Sequence, residues 1–138
     1  MTKLWPMVAA MLALSAILPA HAAGDAATGE KLSKVICVAC HNFTKDAPKK
    51  IGPTLYGVLQ RGAGQAPEFK YSKAFQAALG KGLAWNDETL EAYLTAPTAF
   101  LHKISGDDAS GPSPMVVALN PQQRQDIIAW LHTLGDKP

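Results

Sequence analysis

Cysteine is almost absent from this chain, occurring only at Cys37 and Cys40. Two cysteines three apart cannot form a disulfide framework, and neither is spare for another bridge. Histidine is scarce as well: after residue 22 there are only His41, His102 and His132. A structural zinc site would need further ligands at suitable spacing, and the sequence does not offer them. An excess of one charge is also missing, with thirteen Lys and Arg against eleven Asp and Glu. So near-neutral a chain lacks the basic stripe expected of a nucleic-acid binder and leaves partner steering to local patches. No internal repeat, low-complexity tract or convincing strand pair is found. Only the N-terminus holds a long apolar run, so stable membrane insertion of the remainder is not expected.

That N-terminus reads as an address. Lys3 supplies a positive start, an apolar run covers residues 7–18, and Ala20-His21-Ala22 has the small-x-small pattern of a cleavage site. Residues 1–22 are therefore expected to be a cleaved signal peptide, with a retained anchor as the alternative. Residues 23–138 then form one exported domain. Without Lys3, twelve basic residues face eleven acidic ones, a net charge of +1.

The mature chain predicts about four helices separated by long Gly- and Pro-rich loops. Thr28 can cap a first segment with Leu32, Val35, Ile36 and Cys40 at helical spacing. Ser72 can cap a second with Phe75, Ala78 and Leu79, ended by Gly80. A third starts at Asn86, with Asp87 and Glu88 in its first turn and Leu90, Tyr93 and Leu94 on its apolar face; Pro97 stops it. The last has Asn120 as N-cap, Pro121 at the first helical position and Gln123 three residues after the cap. Ile127, Ile128, Leu131 and Leu134 form its stripe, and Gly135 closes it. Residues 42–71 and 98–120 read as loops. Loops this long in a small domain call for something else to pack on, such as a large buried cofactor.

Cys37-Val38-Ala39-Cys40-His41 supplies that cofactor, since this is the spacing of covalent haem attachment. Two cysteines three apart can reach two vinyl groups on one porphyrin edge, and the next residue can bind iron from one side. A disulfide between Cys37 and Cys40 is the competing reading, but such motifs open a helix in a βαβ setting that is missing here. Candidates for the sixth iron ligand are Met115, His102 and His132. Met115 is favoured because a thioether with histidine is the electron-transfer pairing, and because it is the only Met after the signal. Its Gly-Pro-Ser-Pro-Met loop can hold it toward a cofactor. His102 is the main rival. With two haem propionates the ferrous protein would carry a net charge of about −1.

With these motifs in place the sequence resembles the class I cytochromes c, the mitochondrial-type family and its periplasmic bacterial relatives, over essentially all of residues 24–138. The matching positions are Gly29, Cys37-x-x-Cys40-His41, Gly52-Pro53-x-Leu55-x-Gly57, Arg61-x-x-Gly64 and Phe69-x-Tyr71. They continue with Trp85, Leu90-x-x-Tyr93-Leu94-x-x-Pro97, Met115, and Arg124 with residues 127–131. The long stretch between Pro97 and Met115 resembles the larger bacterial electron carriers. The resemblance implies an all-α fold, small helices and long loops wrapped around one covalently bound haem c. It implies that the Pro53 carbonyl accepts the outer N–H of His41, that Arg61, Tyr71 and Trp85 contact a haem propionate, and that Tyr93 points at the Met115 sulfur. Gly29 would let the first and last helices cross closely.

Some positions depart from the family. Ser33 stands where an aromatic residue is usual opposite Trp130, and Phe75 replaces a usually polar residue near the haem. Asp107 and Asp108 occupy positions where lysine is common. Lys34, Lys49, Lys50 and Lys103 remain candidates for a local basic docking face. The resemblance implies a monomeric, soluble, periplasmic one-electron carrier that is not itself an enzyme and shuttles between membrane or periplasmic redox complexes. The alternatives are a peroxidase-like haem enzyme or gas-binding protein with a labile sixth ligand, or the haem subunit of a larger oxidoreductase.

Overall fold

The computed structural model describes residues 23–136. The expected signal peptide, residues 1–22, lies outside them. Among the described residues six α-helices follow one another: α1 (Ala26–Ile36), α2 (Val58–Arg61), α3 (Lys73–Leu79), α4 (Asp87–Thr95), α5 (Pro97–Ser105) and α6 (Pro121–Leu131), with a 3₁₀ turn at Asp108–Ser110. Among the described residues there is no strand, so the fold is all-α as expected. No helix among them is long and apolar enough to cross a membrane.

The four expected helices are present, and their ends follow local chemistry. Asn120 accepts from the Gln123 amide at 2.9 Å while the Gln123 side chain accepts from the Asn120 amide at 2.9 Å, a closed capping box. Asn86 and Thr89 make the same reciprocal pair at the start of α4. Ser72 caps α3 through the Phe75 amide. At α1 the cap is Asp25 instead of Thr28: its carboxylate accepts the Thr28 amide at 2.6 Å, placing Thr28 inside the helix. Helix α6 ends at Leu131, before Gly135, although Leu134 still packs on the core.

Two helices occupy stretches read as loop. One is α2. The other, α5, begins at the same Pro97 that ends α4, because a proline cannot continue a helix yet suits the first position of the next. Gly106, in the left-handed region at φ 67°, closes it.

The core has two parts. Phe75, Ala78, Phe100 and Leu101 bury the contact between α3 and α5. Leu90, Ile127, Ile128, Trp130 and Leu131 bury α6 against α4 and α1. Trp85 packs against both. At the crossing of α1 and α6 the buried residues of α1 are the small Gly29 and Ser33; of the expected stripe Leu32 packs on this core, while Val35 is 78 % exposed. The reason is proximity: only small side chains fit where the backbones meet. Trp130 takes its aromatic partner from the loop instead, meeting Phe43 edge-on at 5.0 Å.

Candidate functional site

Helix α1 stops one residue before Cys37, and the chain turns tightly so that the His41 amide bonds the Cys37 carbonyl at 2.9 Å. Cys37 is half-buried and Cys40 is exposed, and no disulfide joins them in this structure. Burial pushes the Cys37 thiol up, keeping it neutral.

His41 is fixed by the following loop. The Gly52 amide bonds the Cys40 carbonyl and the Leu55 amide bonds the Asn42 carbonyl, each at 2.8 Å, which lays residues 52–55 beside 40–42. Within that clasp His41 Nδ1 lies 2.7 Å from the Pro53 carbonyl oxygen. A carbonyl can only accept, so Nδ1 carries the proton and Nε2 is left as a lone-pair donor. Burial holds the imidazole below its ordinary pKa, opposed by the Pro53 bond and helped by the nearby Lys50 charge. The neutral ring is the form that binds a metal. Gly52 makes the approach possible: a Cβ there would sit 2.6 Å from His41 Cε1.

Across the domain the aromatic side chains form a continuous wall. Tyr71 stacks on Phe75 at 4.6 Å, Trp85 and Tyr93 lie 5.2 Å apart, and Tyr93 meets Phe100 at 6.0 Å. Phe75, 7 % exposed, is part of this buried apolar layer. The Tyr71 hydroxyl accepts the Ala66 amide at 3.1 Å. Burial raises the Tyr93 hydroxyl's pKa, so it stays protonated, and its oxygen lies 3.4 Å from Ser113 Oγ. Ser113 Oγ also accepts the Met115 amide at 3.2 Å. Tyr93 thus reaches the Met115 segment through Ser113.

Arg61, at the end of α2, bonds the carbonyls of Tyr56 and Thr54 through its two terminal nitrogens. Its Nε is buried without a partner, and burial lowers the guanidinium's pKa. An orphaned buried cationic N–H is costly unless an acceptor approaches it, and a propionate is such an acceptor.

The rival histidines are occupied. His102 Nε2 lies 2.7 Å from the Gly111 carbonyl and Nδ1 lies 3.6 Å from the Asp108 carboxylate. His132 is half-exposed, with Nε2 2.6 Å from Asp87. Met115 is half-buried and makes no comparable commitment beyond its backbone. Of the four lysines named as candidates for a docking face, Lys34 pairs with Glu30 at 2.7 Å and Lys49 with Glu68 at 2.5 Å. Lys50 reaches back to the Val38 carbonyl.

Two free thiols, a neutral imidazole with Nε2 available and a buried unpaired guanidinium N–H together fit a covalent haem. Sequence reasoning missed Ser113 and Thr98, whose roles depend on α5. Pro97 and Gly106 bracketing Phe100, Leu101 and Ile104 were the available signal.

Comparison with known proteins bears on the same residues. Residues 26–135 match the family described as cytochrome c. The chain is 44 % identical over 111 residues to cytochrome c-550 of Novispirillum itersonii, covering 80 % of this chain and 99 % of that one. It is 43 % identical over 119 residues to cytochrome c2 iso-1 of Rhodospirillum centenum, covering 82 % and 98 %. Among solved structures, cytochrome c2 from Rhodospirillum centenum superposes with a TM-score of 0.73 at 41 % identity, covering 82 % of this chain and all of that one. Cytochrome c2 from Rhodobacter sphaeroides gives 0.74 at 32 %, covering 83 % and 99 %.

Proposed function

This chain belongs to the cytochrome c family, within the class I fold, and from that membership we propose that Cys37 and Cys40 hold its haem while His41 and Met115 bind the iron. Its function is that of an electron carrier with one covalent haem c, not that of an enzyme. The observation that carries the residue assignment is the 2.7 Å bond from His41 to the Pro53 carbonyl, which fixes the tautomer inside an attachment sequence.

Bound haem supplies a one-electron couple at its iron. The chain's own residues do the rest. The Pro53 bond orients His41 and raises its basicity as a ligand. The wall of Tyr71, Phe75, Trp85 and Tyr93 excludes water, and Arg61 offers its buried N–H to a propionate. Tyr71 and Trp85 would complete that propionate's surroundings, and Tyr93 would steady the Met115 segment through Ser113. Two ligands held in both oxidation states keep reorganisation small.

Electrons would leave through the edge bearing the thioethers, where Val38 and Cys40 are exposed. Partners would be membrane or periplasmic redox complexes, met in short-lived complexes of the small interface class. With Lys34 and Lys49 paired internally, docking there relies on a weaker basic patch than the lysines alone suggest. Residues 1–22 would direct export to the periplasm and be removed there.

Reduced-minus-oxidised spectra and the intact mass of the exported protein test this reading. A haem that survives denaturation, a chain starting at Ala23 and the weak ferric methionine-to-iron band near the red edge are expected. A non-covalent haem, or a high-spin ferric spectrum without that band, would overturn it.

A further inference from the structure

Helix α5 presents Thr98 and His102 four residues apart, on one helix face. Both bond the backbone of the segment that leads to Met115. Thr98 Oγ1 accepts the Ser113 amide at 3.0 Å. His102 Nε2 donates to the Gly111 carbonyl at 2.7 Å, since a carbonyl can only accept. Ser113, 4 % exposed, passes the constraint on by accepting the Met115 amide. The helix itself is anchored in the core by Phe100 and Leu101, 9 % and 0 % exposed. A rigid element therefore grips this loop at two points two residues apart, the nearer one two residues before Met115.

We propose that Thr98 and His102 are positioning residues, a two-point clamp that keeps the Met115 sulfur on the iron and sets how often the sixth position opens. The proposal rests on the reading of Met115 as ligand. Gly111-Pro112-Ser113-Pro114 has no helical hydrogen bonds of its own, and each clamp bond ties it to a helix that cannot follow it outward. His102 is then not a competing iron ligand. Its ring acts on the iron only through the loop it holds.

The test is cyanide binding to the ferric holoprotein. Where the native ligand must leave first, the binding rate reaches a plateau as cyanide rises, and that plateau reports opening. Thr98→Val keeps the shape but removes the acceptor, and His102→Leu removes the donor. Each should raise the plateau about 3- to 10-fold, the worth of one ordinary hydrogen bond. His102→Gln returns an amide N–H near the place of Nε2 and should restore a rate close to the parent's. Amide exchange at Ser113 should quicken in Thr98→Val to a similar degree.

Unchanged plateaus with the methionine band intact would overturn the clamp and leave the ligand assignment standing. Equal acceleration by His102→Gln and His102→Leu would assign the effect to packing and overturn it too. A parent protein with no plateau and no methionine band would instead remove Met115 as ligand, and the clamp with it.

Discussion

A Cβ on Gly29 would lie 1.9 Å from the carbonyl oxygen of Asp126 and 2.9 Å from Trp130 Cβ. Helices α1 and α6 therefore cross backbone to backbone, and the carboxylate of Asp126, 5 % exposed, accepts the Asp25 amide at 2.8 Å. Gly29→Ala sets two effects against each other. Better helix propensity gains at most about 1 kcal/mol. Parting the helices costs about 1–3 kcal/mol by the usual measure of overpacking, and the obstacle here is backbone that cannot rotate away. The clash should win. Urea unfolding of the holoprotein should show a loss of about 1–2 kcal/mol with the haem spectrum unchanged.

How far the fold can be read from sequence depends on how local the signal is. The capping box at Asn120 and Gln123 was legible because four consecutive residues contain the whole argument. The attachment sequence was legible for the same reason, with thioether and iron chemistry packed into residues 37–41. Helix α5 was not, because Pro97 carries two opposite meanings and the N-cap, Ala96, makes no side-chain bond. The missed helix hid Thr98 and Ser113 with it. The α1 face was legible only in part: helical periodicity pointed to Leu32, Val35 and Ile36, whereas Gly29 and Ser33 could be placed at the crossing only through the family resemblance, and they are the residues buried there.

Arg61 offers a test that reads both stability and chemistry. Arg61→Ala removes the bonds to the Tyr56 and Thr54 carbonyls and, with them, the buried Nε–H that has no partner. Loss of charge-assisted bonds should cost about 1.5–3 kcal/mol in unfolding. A propionate left without its cation favours ferric iron, so the reduction potential should fall while the haem stays attached. Arg61→Lys keeps the charge but not the planar fork and should fall in between. Spectroelectrochemical titration of the three proteins decides the matter; an unchanged or raised potential in Arg61→Ala would separate Arg61 from the propionate.

Asp136 ties the C-terminal turn to the loop after the haem-attachment sequence. Its carboxylate accepts from the Tyr56 hydroxyl at 2.7 Å and pairs with Lys45 at 3.0 Å. The Tyr56 bond first, and Lys45 next, hold its pKa below the ordinary 3.8. A depressed carboxylate pKa means the unfolded chain binds the proton first as pH falls. The stabilisation is therefore present in full above the ordinary value and is lost as pH drops through the folded one. Asp136→Asn should be slightly less stable than the parent at neutral pH, and the two should converge in acid. The pair is exposed, so added salt should shrink the difference as well. Urea midpoints measured from neutral pH down to about pH 3 check both trends; a gap that widens in acid would mean the carboxylate is not the group responsible.

Met115 decides between a closed carrier and an open haem site. Its amide is held by Ser113, and both imidazole rivals are engaged elsewhere, His102 with Gly111 and Asp108 and His132 with Asp87. Met115→Leu nearly preserves side-chain volume, so the loop should keep its place while the sulfur is lost. Cys37, Cys40 and His41 would still hold the haem. Loss of the thioether, which favours ferrous iron, should lower the reduction potential. The vacated position should take cyanide when ferric and carbon monoxide when ferrous, far faster than the parent does. Peroxidase turnover should rise for the same reason, since peroxide needs the coordination site that the sulfur blocks. Absorption spectra, potential and ligand-binding rates are measured on the same two proteins. If the leucine variant keeps the parent's ferric methionine band, its potential and its exclusion of cyanide, then Met115 is only a packing residue. His102→Ala would then be the variant to make, because its imidazole, 2.7 Å from the Gly111 carbonyl of the same loop, is the main rival as iron ligand.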